Sequence, residues 1–151
     1  MENHVKQSRY NLKFLDTLES EQPSLFFDWK CTIAFYCALH AIKAMLVSKG
    51  IPTSSHEDIR SVINHRKNAS SPVNIECYKA YNRLYNICMT SRYDGFKNMD
   101  AWNDQFRNEF DRAKQDLTYI LKYLQGKHDI KVYKNLKDKP PVPCAIEDPV
   151  K

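Results

Sequence analysis

The chain is poor in glycine. Gly50, Gly95 and Gly126 are the only three in 151 residues, too few to build the glycine-rich phosphate cradle of a P-loop or dinucleotide fold. Those nucleotide folds are excluded. The five cysteines, Cys31, Cys37, Cys77, Cys88 and Cys144, are odd in number, widely spread and never in a Cys-x-x-Cys pair, which argues against a disulfide framework or zinc knuckle. The first four fall in apolar stretches and read as small buried hydrophobes. No run of about 18 consecutive apolar residues is present, and Met1-Glu2-Asn3-His4-Val5-Lys6 lacks a signal-peptide core. A cytoplasmic protein without membrane attachment is the expectation.

Aromatic side chains are plentiful: nine tyrosines, seven phenylalanines and two tryptophans. With 42% hydrophobic and 27% charged residues, they describe a folded domain of ordinary composition, and the length suits a single core. The formal net charge of +5 permits attraction to phosphate, but the lysines are scattered along the chain.

Periodicity gives helices. Val5, Leu12, Leu15 and Leu18 line one face of a helix from Asn3 to Glu21, ended by Pro23. Asp28 is placed to cap a second helix through Trp29, Ile33, Tyr36, His40 and Met45, stopped by Gly50. Its small residues Ala34, Ala38, Ala41 and Ala44 allow close approach on several sides, so this helix should be central. Ser54 and Glu57 have the spacing of a capping box, which starts a short third helix burying Ile59, Val62 and Ile63. Ser71-Pro72 reads as the start of a fourth, through Tyr78, Tyr81, Leu84, Tyr85 and Cys88. A loop around Thr90 to Asn98 precedes the longest run, Trp102 to Leu124, which Gly126 closes. Ile130 to Tyr133 could form a short extended piece. The expected fold is an all-α antiparallel bundle of about five helices over residues 1–134, followed by a flexible charged and proline-rich tail over 135–151.

The stretch from Asp28 to Leu46, rich in tyrosine and alanine, followed by Ser55-His56-Glu57-Asp58-Ile59-Arg60, resembles a HEPN domain over roughly residues 5 to 126. Tyr85 with Ser91-Arg92-Tyr93 is similar to a tyrosine and Arg-x-x-Tyr neighbourhood of some branches. The resemblance implies a helical bundle that forms a homodimer. It also implies one of two functions: a metal-independent ribonuclease using an Arg-x4-6-His motif from two subunits, or a non-catalytic module that binds a nucleotide or partners a nucleotidyltransferase, as in toxin-antitoxin-like systems.

Arg60-Ser61-Val62-Ile63-Asn64-His65 satisfies Arg-x4-His. Arg60 and His65 are therefore the candidate catalytic pair: a guanidinium fork to grip phosphate and an imidazole to move protons while an RNA's own 2′-hydroxyl attacks. No metal or other cofactor is called for. Positions five apart in a regular helix point about 140° away from each other, so the helix must end between them or a second subunit must supply one group. His56 and Arg60, four apart, are neighbours on one helical face, and Asn64 continues the row as a stripe for phosphate or nucleotide. Arg92 and Tyr93, expected in a loop, could add ionic contact and stacking to RNA or a nucleotide. His40, beside Tyr36, reads as a hydrogen-bonded core or interface residue. The acidic residues from Asp100 to Asp116 alternate with basic ones and read as a solvated face.

Overall fold

In the computed structural model, which describes residues 1–93 and 99–133, five helices follow in chain order. They are α1 (Glu2–Glu21), α2 (Phe27–Ser48), α3 (His56–Ile63), α4 (Ile75–Tyr93) and α5 (Met99–His128). No strand occurs among the described residues, so the all-α expectation holds. The tail at 135–151 lies outside the described residues.

Helix α2 is the hub, packed against α1, α4 and α5. Its alanines Ala34, Ala38, Ala41 and Ala44 are all fully buried and share one side of the helix, which lets a neighbour approach the axis closely there. By length and composition α2 could cross a membrane, but about three-quarters of that stretch is buried against the other helices. Ser8 of α1 donates to the Cys37 carbonyl at 2.8 Å, while the other end of α1 meets Lys30, so α1 and α2 are antiparallel. Thr32, near the start of α2, meets Ser91, near the end of α4, at 2.7 Å, and the Asn74 amide at the start of α4 donates to Tyr123 near the end of α5 at 3.0 Å, making α4 antiparallel to both α2 and α5. The four described cysteines are buried and free, as an apolar role requires.

The sequence placed several helix ends imperfectly. Asp28 does not cap α2: its carboxylate accepts from the Trp29 amide at 2.9 Å and from Trp102 Nε1 at 3.0 Å, tying α2 to α5. Phe26 instead precedes the helix in the left-handed region, with φ 63°. A bulky side chain there is strained, at a cost on the order of 1–3 kcal/mol. Ser55, not Ser54, caps α3, its hydroxyl accepting from the Asp58 amide at 3.1 Å. Asp58 Oδ2 in turn accepts from the amide of Ser54, one residue before the cap, at 3.0 Å, so the two bonds cross over Ser54 and Ser55 instead of forming the Ser54–Glu57 box that the spacing suggested. Asn74, rather than Ser71, caps α4 through the Cys77 amide. Gly126 does not end α5, which runs on to His128; Asp129, with φ 58°, turns the chain.

After that turn Ile130, Val132 and Tyr133 fold back into the core instead of forming an extended strand. Arg9 of α1 holds them, donating to the Val132 carbonyl at 2.8 Å and the Lys131 carbonyl at 2.6 Å. Lys30 is wholly buried and donates to the Gln22 carbonyl at 2.6 Å. Its charge thus meets the negative end of the α1 dipole. Burial still pushes its pKa down to about 8, against the pull of Glu19.

Candidate functional site

Helix α3 has only eight residues, too few to be stable alone. Ile59 and Ile63 bury completely and fix which side faces the bundle. At about 100° per residue, His56 and Arg60 then fall along the edge of that buried side, where α4 passes.

Arg60 and His56 meet the same ring. The Arg60 guanidinium lies over Tyr85, with Cζ 4.2 Å from the ring centre, and the His56 and Tyr85 rings are 6.5 Å apart, edge to face. Arg60 Nε and Nη2 donate to Asn82 Oδ1 at 3.3 and 3.2 Å, and Nη1 donates to Glu57 at 3.3 Å. Its side chain keeps 27% of its surface open, and Glu57 is far more exposed at 67%. An exposed pair of this kind is worth about 0–1 kcal/mol, so an incoming anion can take Glu57's place at little cost.

Behind these groups lies an aromatic wall. Phe35 and Tyr36 of α2 contact His56 with ring centres 5.8 and 6.2 Å apart, and Phe35 also packs on Tyr81 and Tyr85. The Tyr81 hydroxyl is buried and makes no hydrogen bond among the described residues. Burial raises its pKa, and the nearby Arg60 charge partly offsets the rise. The cluster joins a cation, an imidazole and phenol rings, a combination suited to a phosphate beside an aromatic base.

His65 is placed elsewhere. Helix α3 ends at Ile63, between the two members of the Arg-x4-His motif, yet this does not bring them together. His65 Nε2 donates to the Val73 carbonyl at 2.6 Å, so within one protomer Arg60 and His65 share no partner. Neighbouring polar residues close the same loop: Asn68 donates to the Val62 carbonyl and Ser71 to that of Ile63, both at 2.8 Å. These bonds satisfy the last carbonyls of α3.

Two expectations need correction. Asn64 does not continue the His56–Arg60 row, because its backbone is already extended and its Oδ1 accepts from the Arg66 amide at 2.9 Å. Arg92 and Tyr93 belong to the last turn of α4 rather than to a loop; their side chains lie outside the described residues. His40 pairs with His4, Nδ1 to Nδ1 at 3.1 Å, which requires one ring to donate and the other to accept. This is the hydrogen-bonded role expected of it.

Asn82 went unnoticed in the sequence. It stands one residue after Tyr81 and three before Tyr85, a polar position on an aromatic helix face, and that spacing was the available signal. Among the described residues no cluster of three or more histidine, cysteine or acidic side chains could hold a metal.

The HEPN domain family model matches residues 1–128 of this chain. No curated protein matches it.

Proposed function

The chain belongs to the HEPN domain family, and from that premise we propose that it binds RNA or a nucleotide through the α3–α4 cluster. The observation that carries this is Arg60, partly open to solvent and stacked on Tyr85 beside His56. Arg60 takes the phosphate and the neighbouring rings take the base. In this reading the protein works as a homodimer.

A metal-independent cleavage of RNA is the catalytic form of the same proposal. It needs Arg60 and His65 at one phosphate, and because they take separate partners in one protomer, a second subunit would supply one of them. The non-catalytic reading, a partner module for a nucleotidyltransferase, is favoured by the satisfied hydrogen bonds of both residues.

The test is fluorescence anisotropy with labelled single-stranded RNA and with labelled ATP and GTP. Arg60→Ala should weaken binding by about tenfold, a typical loss for one charge-assisted contact, with the helical circular dichroism unchanged. Equal binding by wild type and variant, or no binding of either ligand class at millimolar concentration, refutes the proposal. Incubation of RNA in EDTA with wild type and His65→Ala separates cleavage from binding.

A further inference from the structure

An open groove of about 610 Å³ runs between α1 and α2, and no residue of α3, α4 or α5 lines it. Its walls are Gln7 to Leu18 on α1 and Trp29 to His40 on α2, about 16 Å of helix. Rings dominate the lining. Phe14, Phe26 and Trp29 are 51%, 46% and 59% exposed, and no Asp, Glu, Lys or Arg lines the groove among the described residues. Gln7, Asn11 and Trp29 add side-chain N–H donors to this apolar lining. The groove therefore suits an apolar ligand whose backbone offers carbonyls.

The chain carries one segment of that chemistry. Pro140-Pro141-Val142-Pro143 is its only Pro-x-x-Pro run, and such a run favours the polyproline II form, which makes no internal hydrogen bonds and lays its prolines on aromatic grooves. Charge sets the direction. Glu21 follows Leu18 by three residues on α1, and Lys43 follows His40 by three on α2, so one end of the groove is acidic and the other basic. Asp28 beside Trp29 has the sign of Glu21, and Lys43 is near enough to His40 and His4 to lower the pKa of both. Glu2, Lys6 and Lys13 stand about 110–150° away round α1. In the tail, Lys139 precedes the prolines and Glu147 and Asp148 follow them. Lengths agree as well. Along the groove, Glu21 and Lys43 are about 25 Å apart, and the eight residues from Lys139 to Glu147, at about 3.1 Å each, cover the same distance.

We propose that residues 139–147 dock lengthwise in the α1–α2 groove of their own chain, Lys139 at Glu21 and Glu147 at Lys43, with the Pro-x-x-Pro run on the rings of Trp29 and Phe14. The reach is sufficient. Arg9 holds the Lys131 and Val132 carbonyls on the far side of α1, and the six residues from Tyr133 to Lys139 extend to about 20 Å, against a helix width of about 10 Å. Tethering keeps the segment at a local concentration of about millimolar, so a weak contact is enough. Tyr36 lines the groove and also packs on His56, which puts the docked segment behind the wall of the Arg60 cluster. The docking is independent of the RNA or nucleotide reading, since Glu21, Trp29 and Lys43 take no part in the Arg60 contacts.

The other four cysteines are buried, so a nitroxide on Cys144 of the full chain reads the docking by NMR, with the reduced label as reference. With Lys139 at Glu21, Cys144 falls beside Asn11. The Asn11 side-chain amide should broaden most, the Trp29 indole less, and the Asn86 amide, on the α4–α5 side, not at all. An isotope-labelled chain mixed with an unlabelled nitroxide-bearing chain should show no such broadening, because the contact is within one molecule. Trp29→Ala, at an exposed position, should lower the docked-to-free ratio about threefold with circular dichroism unchanged, whereas Tyr119→Ala should leave it as it is. Lys139→Glu should lower the ratio about twofold, and adding Glu21→Lys should restore it. Uniform broadening, a Trp29 signal affected more than Asn11, or indifference to Trp29→Ala overturns the proposal. So does broadening in the mixed sample, which would assign the groove to a second copy. RNA or nucleotide binding by Arg60 is scored separately by anisotropy, so failure of either claim is distinguishable from failure of the other.

Discussion

Lys30 offers the sharpest check on the energetics of the bundle. Its side chain is fully buried between the end of α1 and the rings of Phe27 and Phe110, with Nζ 4.4 Å from the centre of the Phe27 ring. Burial lowers its pKa from 10.5 to about 8. Because the folded pKa lies below the unfolded one, the unfolded chain binds more protons between pH 8 and 10.5, and wild-type stability rises with pH across that window. The 2.5-unit difference amounts to about 3 kcal/mol at 1.36 kcal/mol per unit. At pH 7, Lys30→Met removes that charging cost of about 3 kcal/mol and loses the bond to the Gln22 carbonyl and the ring contact, together about 2 kcal/mol. The variant should therefore be about 1 kcal/mol more stable than wild type at pH 7, in line with the replacement of buried ions by apolar groups of similar volume. Near pH 10.5 the neutral amine keeps its bond without the charge, and the order should reverse. Urea titrations at pH 7 and 10.5, with unchanged slope, measure both differences. A gap that stays the same at both pH values, or a variant that loses more than about 2 kcal/mol at pH 7, refutes the reasoning.

Acid should weaken the His4–His40 bridge. Burial pushes His40 down to about 4, helped by His4 and Lys43, and lowers His4 as well. The unfolded chain thus binds more protons between pH 6.5 and 4, and stability should fall as pH falls through that range, by about 1–2 kcal/mol after solvent screening. Replacing His40 with glutamine should flatten that part of a melting-temperature profile. Ser55→Ala removes the α3 cap and should cost about 1 kcal/mol in urea unfolding; no measurable loss would show the cap to be idle. Arg9→Ala leaves the Lys131 and Val132 carbonyls without their donor and should cost about 1–3 kcal/mol, with faster hydrogen exchange at Ile130 to Tyr133 read by mass spectrometry.

Helices α1, α2 and α5 could be read from the sequence because their apolar residues recur over five or more turns, and burial of such a stripe dominates the local energetics. Their ends could not be read as well. Asp28, Ser54 and Ser71 all have the chemistry of a cap, and the choice among neighbouring polar residues was made by tertiary partners: Trp102 claims Asp28, and the Ile63 carbonyl claims Ser71. Gly126 failed as a stop because nothing in the surroundings demanded a left-handed residue there, whereas Asp129 sits where the chain must turn. His56 and Arg60 were legible as a pair from their spacing of four alone. Their contact with Tyr85 and Asn82 was not, since it depends on how α3 lies across α4. Asn64 departs from the His56–Arg60 row because α3 ends one residue before it, a boundary that spacing alone does not mark.

The location of the Arg60 cluster follows from this division between long and short helices. The long helices bury continuous stripes and hold one another in place, while α3 depends on Ile59, Ile63, the Ser55 cap and the loop bonds of His65, Asn68 and Ser71. His65 therefore acts on Arg60 through the backbone of α3 even without touching it: its bond to Val73 helps fix the end of the helix that presents the guanidinium. If the proposed phosphate site is correct, loss of either motif residue lowers binding for different reasons: Arg60→Ala removes the proposed contact, whereas His65→Ala loosens the short helix that carries it. Only the second loss is recoverable by restoring a donor to the Val73 carbonyl, so His65→Gln should recover binding if its amide NH2 reaches that oxygen, and a proton-transfer role for His65 would leave cleavage of RNA absent in the same variant.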